Sequence, residues 1–317
     1  MKARNLFILT AGIFSTLLIG ESRAGLVITP TFTAAFNADF GANAAAAQAA
    51  WNAAASIFTS NFSDNIHINI TVDATASTSP FGQSSTSLLS TPYANLRSKV
   101  VADAKTANDA IAIGAGGSMT AADPTGGTGT WFVTRSQAKA IGLIGDDLSN
   151  DGTTTFGAAN PFSFSGTPAG GTYDFKGVAA HEISEVMGRL GFGGVKIASG
   201  FSLLDDFAYT GPGAKDTGQG PNRQFSINAG TTLQKLYNNA SSNGLDVVDW
   251  APGTNDAFNQ FSSSGVVNPV SVVDLQLMDV IGYDLISVPE PRDTASIFAI
   301  ALATVGIATR KRTRCTA

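Results

Sequence analysis

The residue types that could hold a metal ion or move a proton are scarce in this chain, and three of them stand within five positions of one another. The 317 residues include two histidines and four glutamates. His181, Glu182 and Glu185 lie together, whereas Glu21 and Glu290 lie towards the two ends of the chain. On a helix, residues 181 and 185 are one turn apart on one face. Two ligands with this spacing can hold one metal ion, and a carboxylate beside the first ligand can take a proton from water bound to that ion.

The stretch from Asp174 to Leu190 predicts the helix that must position these three side chains. Its apolar residues share one face and should meet the core: Ala179, Ile183, Val186, Met187 and Leu190. His181 and Glu185 lie on the opposite face, so they are free to face a ligand. We expect Gly188 to leave open space beneath that pair and Gly191 to end the helix.

The motif itself resembles the H-E-x-x-H-x-x-G motif of zincins of the metzincin kind. His181, Glu182 and Gly188 match that motif, but Glu185 stands at the second histidine and Gly191 at a third. A carboxylate is a legitimate zinc ligand. Its extra negative charge lowers the Lewis acidity of the ion, so activity would need a compensating environment.

Longer stretches carry a second resemblance. They are residues 177–189 (GVAAHEISEVMGR), 203–209 (LLDDFAY), 246–250 (DVVDW) and 274–283 (DLQLMDVIGY). These segments resemble a family of secreted, PEP-CTERM-tagged zinc metalloproteases, here with a variant HExxE motif, over most of residues 32–286. The resemblance implies an α+β, zincin-like fold, with a mixed sheet, packed helices and a metal-binding active-site helix. It also implies a zinc cofactor and a peptide or protein substrate.

The third metal ligand must come from outside the helix. Asp205 and Asp206 follow at a suitable distance along the chain, as the late carboxylate does in gluzincin-like and aspzincin-like enzymes. His67 is the only other histidine, but it falls on a predicted strand. Tyr209 is a candidate to stabilise an oxyanion. The ligand set predicted from the sequence is therefore His181 and Glu185 with Asp205 or Asp206, and Glu182 is the predicted general base.

Two other interpretations of the motif stay open. One is a catalytically inactive, zincin-like surface or extracellular-matrix binding protein. The other is an ordinary amphipathic helix whose polar face meets solvent. A separate segment, Asp146 to Gly152, matches the start of a calcium loop through Asp147, Ser149 and Asp151, but position twelve is Ala158 rather than a glutamate. This segment predicts either a calcium site or a polar turn before a strand.

The first 24 residues predict a secretory signal peptide. Lys2 and Arg4 precede the uncharged run from Leu6 to Gly20, and Ser22-Arg23-Ala24 offers a cleavage site after Ala24. About 15 apolar residues are short for a membrane span, which needs ~20. We therefore expect an exported protein whose main domain is residues 25–287.

Residues 288–317 predict a sorting tail. Val288, Pro289, Glu290 and Pro291 form a short stiff motif, an apolar stretch covers residues 295–309, and a basic cluster follows at 310–314. The basic cluster favours the cytoplasmic side of a membrane. The tail resembles the PEP-CTERM sorting signal, which implies transient anchoring in the inner membrane by a short transmembrane helix. It also implies cleavage by an exosortase-type protease and release to the cell surface or extracellular matrix. A simple C-terminal anchor is the alternative.

Composition excludes some other classes. Charged residues are 14% of the chain, and the formal net charge is −5, whereas a nucleic-acid binder needs a basic face. The single cysteine excludes an intrachain disulfide.

The remaining pattern predicts helices and short strands in an α+β arrangement. The predicted helices are 37–59, 96–113, 174–190 and 272–281, with a short turn at 136–143. The predicted strands are 66–72, 131–134, 153–156, 162–164, 224–227 and 230–236. One predicted loop follows the first strand and ends at about residue 89, and another covers residues 114–129.

Overall fold

The computed structural model describes residues 25–238 and 246–286, in which helices alternate with short strands. The strands are β1 (Val27–Phe32), β2 (His67–Thr75), β3 (Gly82–Thr86), β4 (Leu88–Thr91), β5 (Thr130–Thr134), β6 (Asn150–Gly157), β7 (Phe162–Ser163), β8 (Tyr173–Asp174), β9 (Gly200–Phe201), β10 (Ala208–Gly211), β11 (Ala214–Lys215) and β12 (Gln224–Phe225). The helices are α1 (Ala34–Phe40), α2 (Ala44–Asn61), α3 (Tyr93–Asp103), α4 (Ala107–Ile113), α5 (Arg135–Ala140), α6 (Phe175–Val186), α7 (Leu203–Asp206) and α8 (Val272–Val280), with a 3₁₀ turn, Gly41–Asn43, between α1 and α2.

A four-stranded sheet in the order β1-β2-β6-β3 forms the main scaffold. β1, β2 and β6 run parallel, and β3 pairs antiparallel with β6. In β2, Ile68, Ile70 and Val72 are buried while the residues between them are partly exposed, because side chains alternate between the two faces of a strand. The predicted strand at 66–72 is therefore confirmed.

Two helices cover one region of this scaffold. α2 and α6 pack against each other, and α6 also lies against β3 and β6. Trp51 on α2 is fully buried, and its indole nitrogen donates to Thr154 on β6 at 3.2 Å. Phe175, at the start of α6, packs against Phe156 on β6 and Phe40 on α1. These contacts fix the helix that carries His181, Glu182 and Glu185 to the sheet.

The other strands form smaller sheets, β11-β10-β12, β4-β5-β9 and β7-β8. One cluster of buried side chains includes residues from Leu26 to Tyr283. The architecture is therefore a mixed α+β fold with mixed sheets and several helices, as the sequence predicts.

Two predicted helices are interrupted. The helix predicted over 37–59 is divided at Gly41, whose φ of 52° lies in the left-handed region that favours glycine. The helix predicted over 96–113 is divided into α3 and α4, and Thr106 caps α4 by accepting from the Asp109 amide. In both places a local stop signal outweighs the continuous apolar pattern.

The prediction of a loop up to residue 89 is wrong, because β3 and β4 lie in that segment. β3 is rich in Ser and Gly and lies at the sheet edge, where none of its residues is fully buried. An edge strand of this kind lacks the apolar alternation from which strands are predicted. The strand predicted over 230–236 is also absent, since only Leu236 forms an isolated bridge there, to Gln224.

Other predictions are confirmed with shifted ends. The strands predicted at 131–134, 153–156, 162–164 and 224–227 correspond to β5, β6, β7 and β12, and the helix predicted at 272–281 corresponds to α8. The segment at 114–129 contains no helix or strand, as expected.

The predicted signal peptide (residues 1–24) and sorting tail (288–317) lie outside the described residues. Within residues 25–238 and 246–286, no helix combines the length and the apolar character needed to cross a membrane.

Candidate metal centre

Helix α6 presents the three motif residues, but it ends earlier than the sequence predicts. Its last residue is Val186, and Gly188 has a φ of 115°, which lies outside helical backbone. A side chain at Gly188 would come within 2.9 Å of Gln137. The glycine therefore allows a tight turn against Gln137, and the predicted open space beneath the pair is absent. The core-facing stripe is confirmed for Ala179, Ile183, Val186 and Met187, which are fully buried. It is wrong for Leu190, which lies beyond the helix end, is only partly buried and lines the cavity at His181.

His181 is held from one side of its ring. Its Nδ1 lies 2.9 Å from the carbonyl oxygen of Ala257. In the neutral ring, this contact assigns the proton to Nδ1 and leaves the lone pair on Nε2. Nε2 lies 3.3 Å from Oε1 of Glu185 and 3.5 Å from Oδ1 of Asp249. The second ring nitrogen of His181 therefore faces two carboxylates.

Asp249 supplies the third donor. It is almost fully buried in a loop that brings residues 246–260 over α6, and this loop also carries the Ala257 carbonyl. His181, Glu185 and Asp249 each offer one ligand atom, and the three atoms lie within 4.8 Å of one another. Among the residues that the structure describes, this is the one group of three or more His, Cys, Asp or Glu side chains so arranged. The sequence held one signal for Asp249, because it lies in the 246–250 segment that contributes to the family resemblance.

Asp205 and Asp206, the predicted third ligands, do not join this group. Oδ2 of Asp205 accepts from the amides of Phe192, Gly193 and Ser202, so this carboxylate organises the loop and helix α7. Asp206 accepts from the Tyr93 hydroxyl and pairs with Lys215. Both side chains are fully buried in these networks. Their proximity along the chain is therefore misleading.

Two other sequence candidates also lie elsewhere. His67 pairs with Asp146 at 2.8 Å on a partly exposed surface at the start of β2. The Tyr209 hydroxyl donates to the Ser118 carbonyl at 3.1 Å in a buried position. Tyr209 does not line the cavity at His181, so an oxyanion role for it is unsupported.

A buried arginine pairs with both carboxylates of the cluster. Nη1 of Arg189 lies 2.5 Å from Oδ1 of Asp249, and Nη2 lies 3.5 Å from Oε1 of Glu185. Nε of Arg189 donates to Oγ of Ser184 at 2.8 Å, and the guanidinium lies 4.6 Å from the centre of the Phe258 ring. The motif pattern in the sequence does not single out this arginine. Its position four residues after Glu185 on a helical pattern was the available signal.

The charges in this cluster shift one another's pKa values. Burial and Arg189 lower the pKa of His181, but the carboxylates of Asp249 and Glu185 outweigh them and raise it to about 9. Burial raises the pKa of Glu185, but His181, Arg189 and a hydrogen bond from Ser84 lower it to about 2. Burial, offset in part by His181 and Arg189, leaves the pKa of Asp249 raised to about 6.

Glu182 lies next to the ligand pair in a tight space. It is only 5% exposed, and a side chain at Gly82 on β3 would come within 2.4 Å of its Oε1. The glycine therefore lets β3 approach Glu182 closely. Burial and the neighbouring Glu185 charge raise the pKa of Glu182 well above its usual range.

These residues border a cavity of about 520 Å³. Strand β3 contributes Gly82, Gln83 and Ser84 to its wall, and the 246–260 loop contributes Asp249 and its neighbours. His181, Glu182 and Glu185 of α6 also line it, so the cluster borders a cavity.

The donor atoms are close enough together to hold one metal ion. His181 Nε2 lies 3.3 Å from the Glu185 donor and 3.5 Å from the Asp249 donor, and all three atoms lie within 4.8 Å of one another. Ser84 Oγ donates to Oε2 of Glu185 at 2.7 Å, so the second carboxylate oxygen is held in place.

The segment predicted as a calcium loop surrounds a cation of the protein itself, the ammonium group of Lys139. The ammonium of the fully buried Lys139 donates to the carbonyl oxygens of His67 and Asp147 at 2.9 Å and to Oδ2 of Asp151 at 2.8 Å. Three acceptors satisfy all three N–H groups of an ammonium. A positive side chain therefore already fills the oxygen cage, which favours the polar-turn interpretation over a calcium site.

Comparisons of this chain with protein-family models, with curated proteins and with solved structures found no match. The interpretation of the site therefore depends on its own geometry.

Proposed function

We propose that this protein is an exported, zinc-dependent peptidase with a zincin-like fold that hydrolyses peptide bonds. The observation that carries the proposal is the group of His181, Glu185 and Asp249 donor atoms beside an open cavity that Glu182 also lines. Three protein ligands with room for a fourth are typical of catalytic zinc sites, whereas structural zinc sites are closed by four protein ligands.

A bound zinc ion would supply a Lewis acid that polarises the scissile carbonyl and makes a nearby water molecule more acidic. The chain's own residues would do the rest. The Ala257 carbonyl orients the His181 ring, and Ser84 orients Glu185. Glu182 would accept the proton of the attacking water at its carboxylate and pass it to the leaving amine.

The electrostatics of Glu182 fit this role when a cation is present. Without metal its raised pKa keeps a proton on the carboxyl group at higher pH than usual. A divalent ion nearby would lower that pKa, because an opposite charge favours the ionised form. Metal binding and activation of the base would then be coupled.

The edge of the main sheet supports a peptide as the substrate. Strand β3 pairs with β6 on one side only among the described strands, and Gln83 is exposed on the wall of the cavity. An extended peptide can add to such an edge through main-chain hydrogen bonds. A peptide placed there would run past Glu182 and His181.

Export and sorting extend the proposal to the ends of the chain. Residues 1–24 would direct secretion, and the motif Val288-Pro289-Glu290-Pro291 would be cleaved by an exosortase-type protease after transient inner-membrane anchoring. The protein would then act at the cell surface or in the extracellular matrix.

A second candidate function is a catalytically inactive surface or matrix binding protein. One observation favours it: a protonated His181 together with Arg189 balances the charges of Glu185 and Asp249 without any metal. The cavity would then bind a ligand without hydrolysing it.

Metal analysis and a peptidase assay separate the two candidates. The purified protein should contain about one zinc per chain, and His181→Ala should remove it. Glu182→Gln should keep the zinc but lose hydrolysis of casein or of a peptide library. A wild-type protein that takes up no zinc, and whose thermal stability chelators leave unchanged, would favour the inactive binding protein.

A further inference from the structure

The Arg189 guanidinium is placed to act on the charge of the metal cluster. It is fully buried, and its two terminal nitrogens face one carboxylate each: Nη1 faces Asp249 at 2.5 Å and Nη2 faces Glu185 at 3.5 Å. Nη2 has no hydrogen-bond partner within normal distance. An arginine cannot lose its proton in this setting, so it brings a permanent positive charge to the site.

A charge count shows what this arginine changes. A zinc site with two histidines and one carboxylate has a net charge of about +1 when the ion is bound. Replacing the second histidine by Glu185 while Asp249 is the third ligand lowers that sum to zero. Adding Arg189 returns it to +1.

We infer that Arg189 is the counter-charge that lets a carboxylate replace the second histidine of the zinc site. This inference rests on the proposed zinc function. In this role Arg189 touches neither the substrate nor the ion, so it is a positioning residue that acts through Glu185 and Asp249. It keeps the bound ion electron-poor, which preserves the Lewis acidity that an additional carboxylate would reduce.

The alternative role is purely structural. Arg189 could merely tie α6 to the 246–260 loop, through Ser184 on one side and Asp249 and Phe258 on the other. The two roles predict opposite changes in zinc affinity. A lost structural tie disorders the ligands and weakens zinc binding, whereas a lost positive charge beside two carboxylates strengthens the attraction for a divalent cation.

The test measures the zinc dissociation constant by competition with a chelator, in the full-length protein, for three variants. Arg189→Met removes the charge, and we expect it to bind zinc at least about tenfold more tightly. Arg189→Lys keeps the charge and should stay within a few-fold of wild type. Ser184→Ala removes the contact to Nε but leaves the guanidinium charge, so it is the matched control and should not bind zinc more tightly.

Kinetics give a second readout. In the zinc-loaded Arg189→Met variant we expect kcat to fall about tenfold or more with little change in KM, because the ion polarises the carbonyl less. Arg189→Lys should recover most of this loss. An Arg189→Met protein that folds and binds zinc as wild type does, or more weakly, would overturn the counter-charge role.

The stability of the Arg189→Met variant, measured with and without zinc, gives a third readout. Asp249 is left without its partner in Arg189→Met, so the metal-free variant is expected to be less stable. Added zinc should then restore the fold by supplying the missing positive charge, and failure of zinc to restore it would count against the inference. A wild-type protein that binds no zinc would defeat the proposed function separately, and Arg189→Met would still be expected to gain zinc binding.

Discussion

Two charged clusters of this protein each contain a fully buried cation, and they differ in how completely that cation is hydrogen-bonded. Lys139 donates to three oxygens, so every N–H group of its ammonium is used. Arg189 pairs with Asp249 and Glu185, but its Nη2 lacks a hydrogen-bond partner and His181 turns Nε2 towards the same carboxylates. In the Lys139 cluster, Oδ1 of Asp151 still faces Nε of Arg135 at 3.5 Å and borders a cavity of about 240 Å³, whereas the His181 cluster borders a cavity of about 520 Å³.

This difference separates the Lys139 cluster, which already holds its cation, from the open cluster of His181, Glu185 and Asp249, whose donor atoms border the larger of the two cavities. The ammonium of Lys139 already lies among the oxygens of its cluster and uses all three of its N–H groups, so a second cation would have to displace it. The donor atoms of His181, Glu185 and Asp249 lie beside a cavity through which a cation can reach them. Acidic residues alone do not distinguish the two cases, because both clusters contain several aspartates or glutamates.

The largest effect is expected from the third donor of the open cluster. Asp249→Asn should weaken zinc binding at least about 100-fold, because it removes a charged ligand and leaves Arg189 without its closest partner. Asp205→Asn is the matched control, because its carboxylate contacts backbone amides away from the cluster. Metal analysis should find about one zinc per chain in Asp205→Asn. Loss of zinc in Asp205→Asn together with retention in Asp249→Asn would reverse the assignment.

The Lys139 cluster should respond in stability instead. Lys139→Met leaves the buried Asp151 carboxylate without its closest cation, and removing one partner of a buried ion pair costs about 3–5 kcal/mol. Urea unfolding should show this loss, while the zinc content stays at the wild-type level. Millimolar calcium should leave the thermal midpoint of the wild type unchanged. A clear calcium-induced rise would show that Lys139 does not fill the cage.

Local spacing explains what the sequence could predict about the open cluster. His181, Glu182 and Glu185 lie on one helix, and helical geometry alone places residues four apart on one face. The Ile68–Val72 alternation likewise predicted β2, since one face of that strand is buried. Such patterns require no knowledge of the tertiary fold.

The sequence predictions that were wrong concern residues whose positions depend on tertiary contacts. Asp249 reaches His181 because the 246–260 loop folds back over α6, and no periodicity encodes that return. Asp205 is close along the chain, but its carboxylate is used to bind the Ser202 amide and two amides before it. β3 was missed because an edge strand needs no apolar face. The places of β3, Asp249 and Arg189 beside His181 therefore follow from the tertiary fold and could not be predicted from the sequence.

The pH dependence of zinc binding tests whether His181 is a ligand in the open cluster. The pKa of His181 is raised to about 9 in the metal-free protein, so zinc must displace a proton from its ring below that pH. Zinc affinity should therefore rise about tenfold per pH unit from pH 7 towards 9 and then level off. Chelator competition at several pH values measures this slope, and a flat profile would exclude His181 as a ligand.

The same shifts predict the stability of the metal-free protein. The folded pKa of His181 lies above its ordinary 6.5, so its contribution is complete below that pH and is lost as the pH rises through about 9. The folded pKa of Glu185 lies below its ordinary 4.5, so its contribution is complete above that pH and is lost as the pH falls towards about 2. The thermal midpoint of the chelator-treated protein should therefore fall both at alkaline pH, towards about 9, and at acid pH, towards about 2. The alkaline decline should disappear in His181→Ala.

The smallest expected effect concerns Gly82 on β3, which lines the cavity beside the open cluster. Gly82→Ala places a methyl group within 2.4 Å of Glu182 Oε1 and 2.8 Å of Val178, so either the glutamate or β3 must move. Because Glu182 is the proposed base and is not a ligand, we expect kcat to fall about tenfold, while zinc content stays unchanged. Gly145→Ala is the matched control, since nothing lies within 4 Å of its added methyl group. If Gly82→Ala instead lost zinc but Gly145→Ala did not, β3 would be positioning the ligands through Ser84 and Glu185 rather than the base.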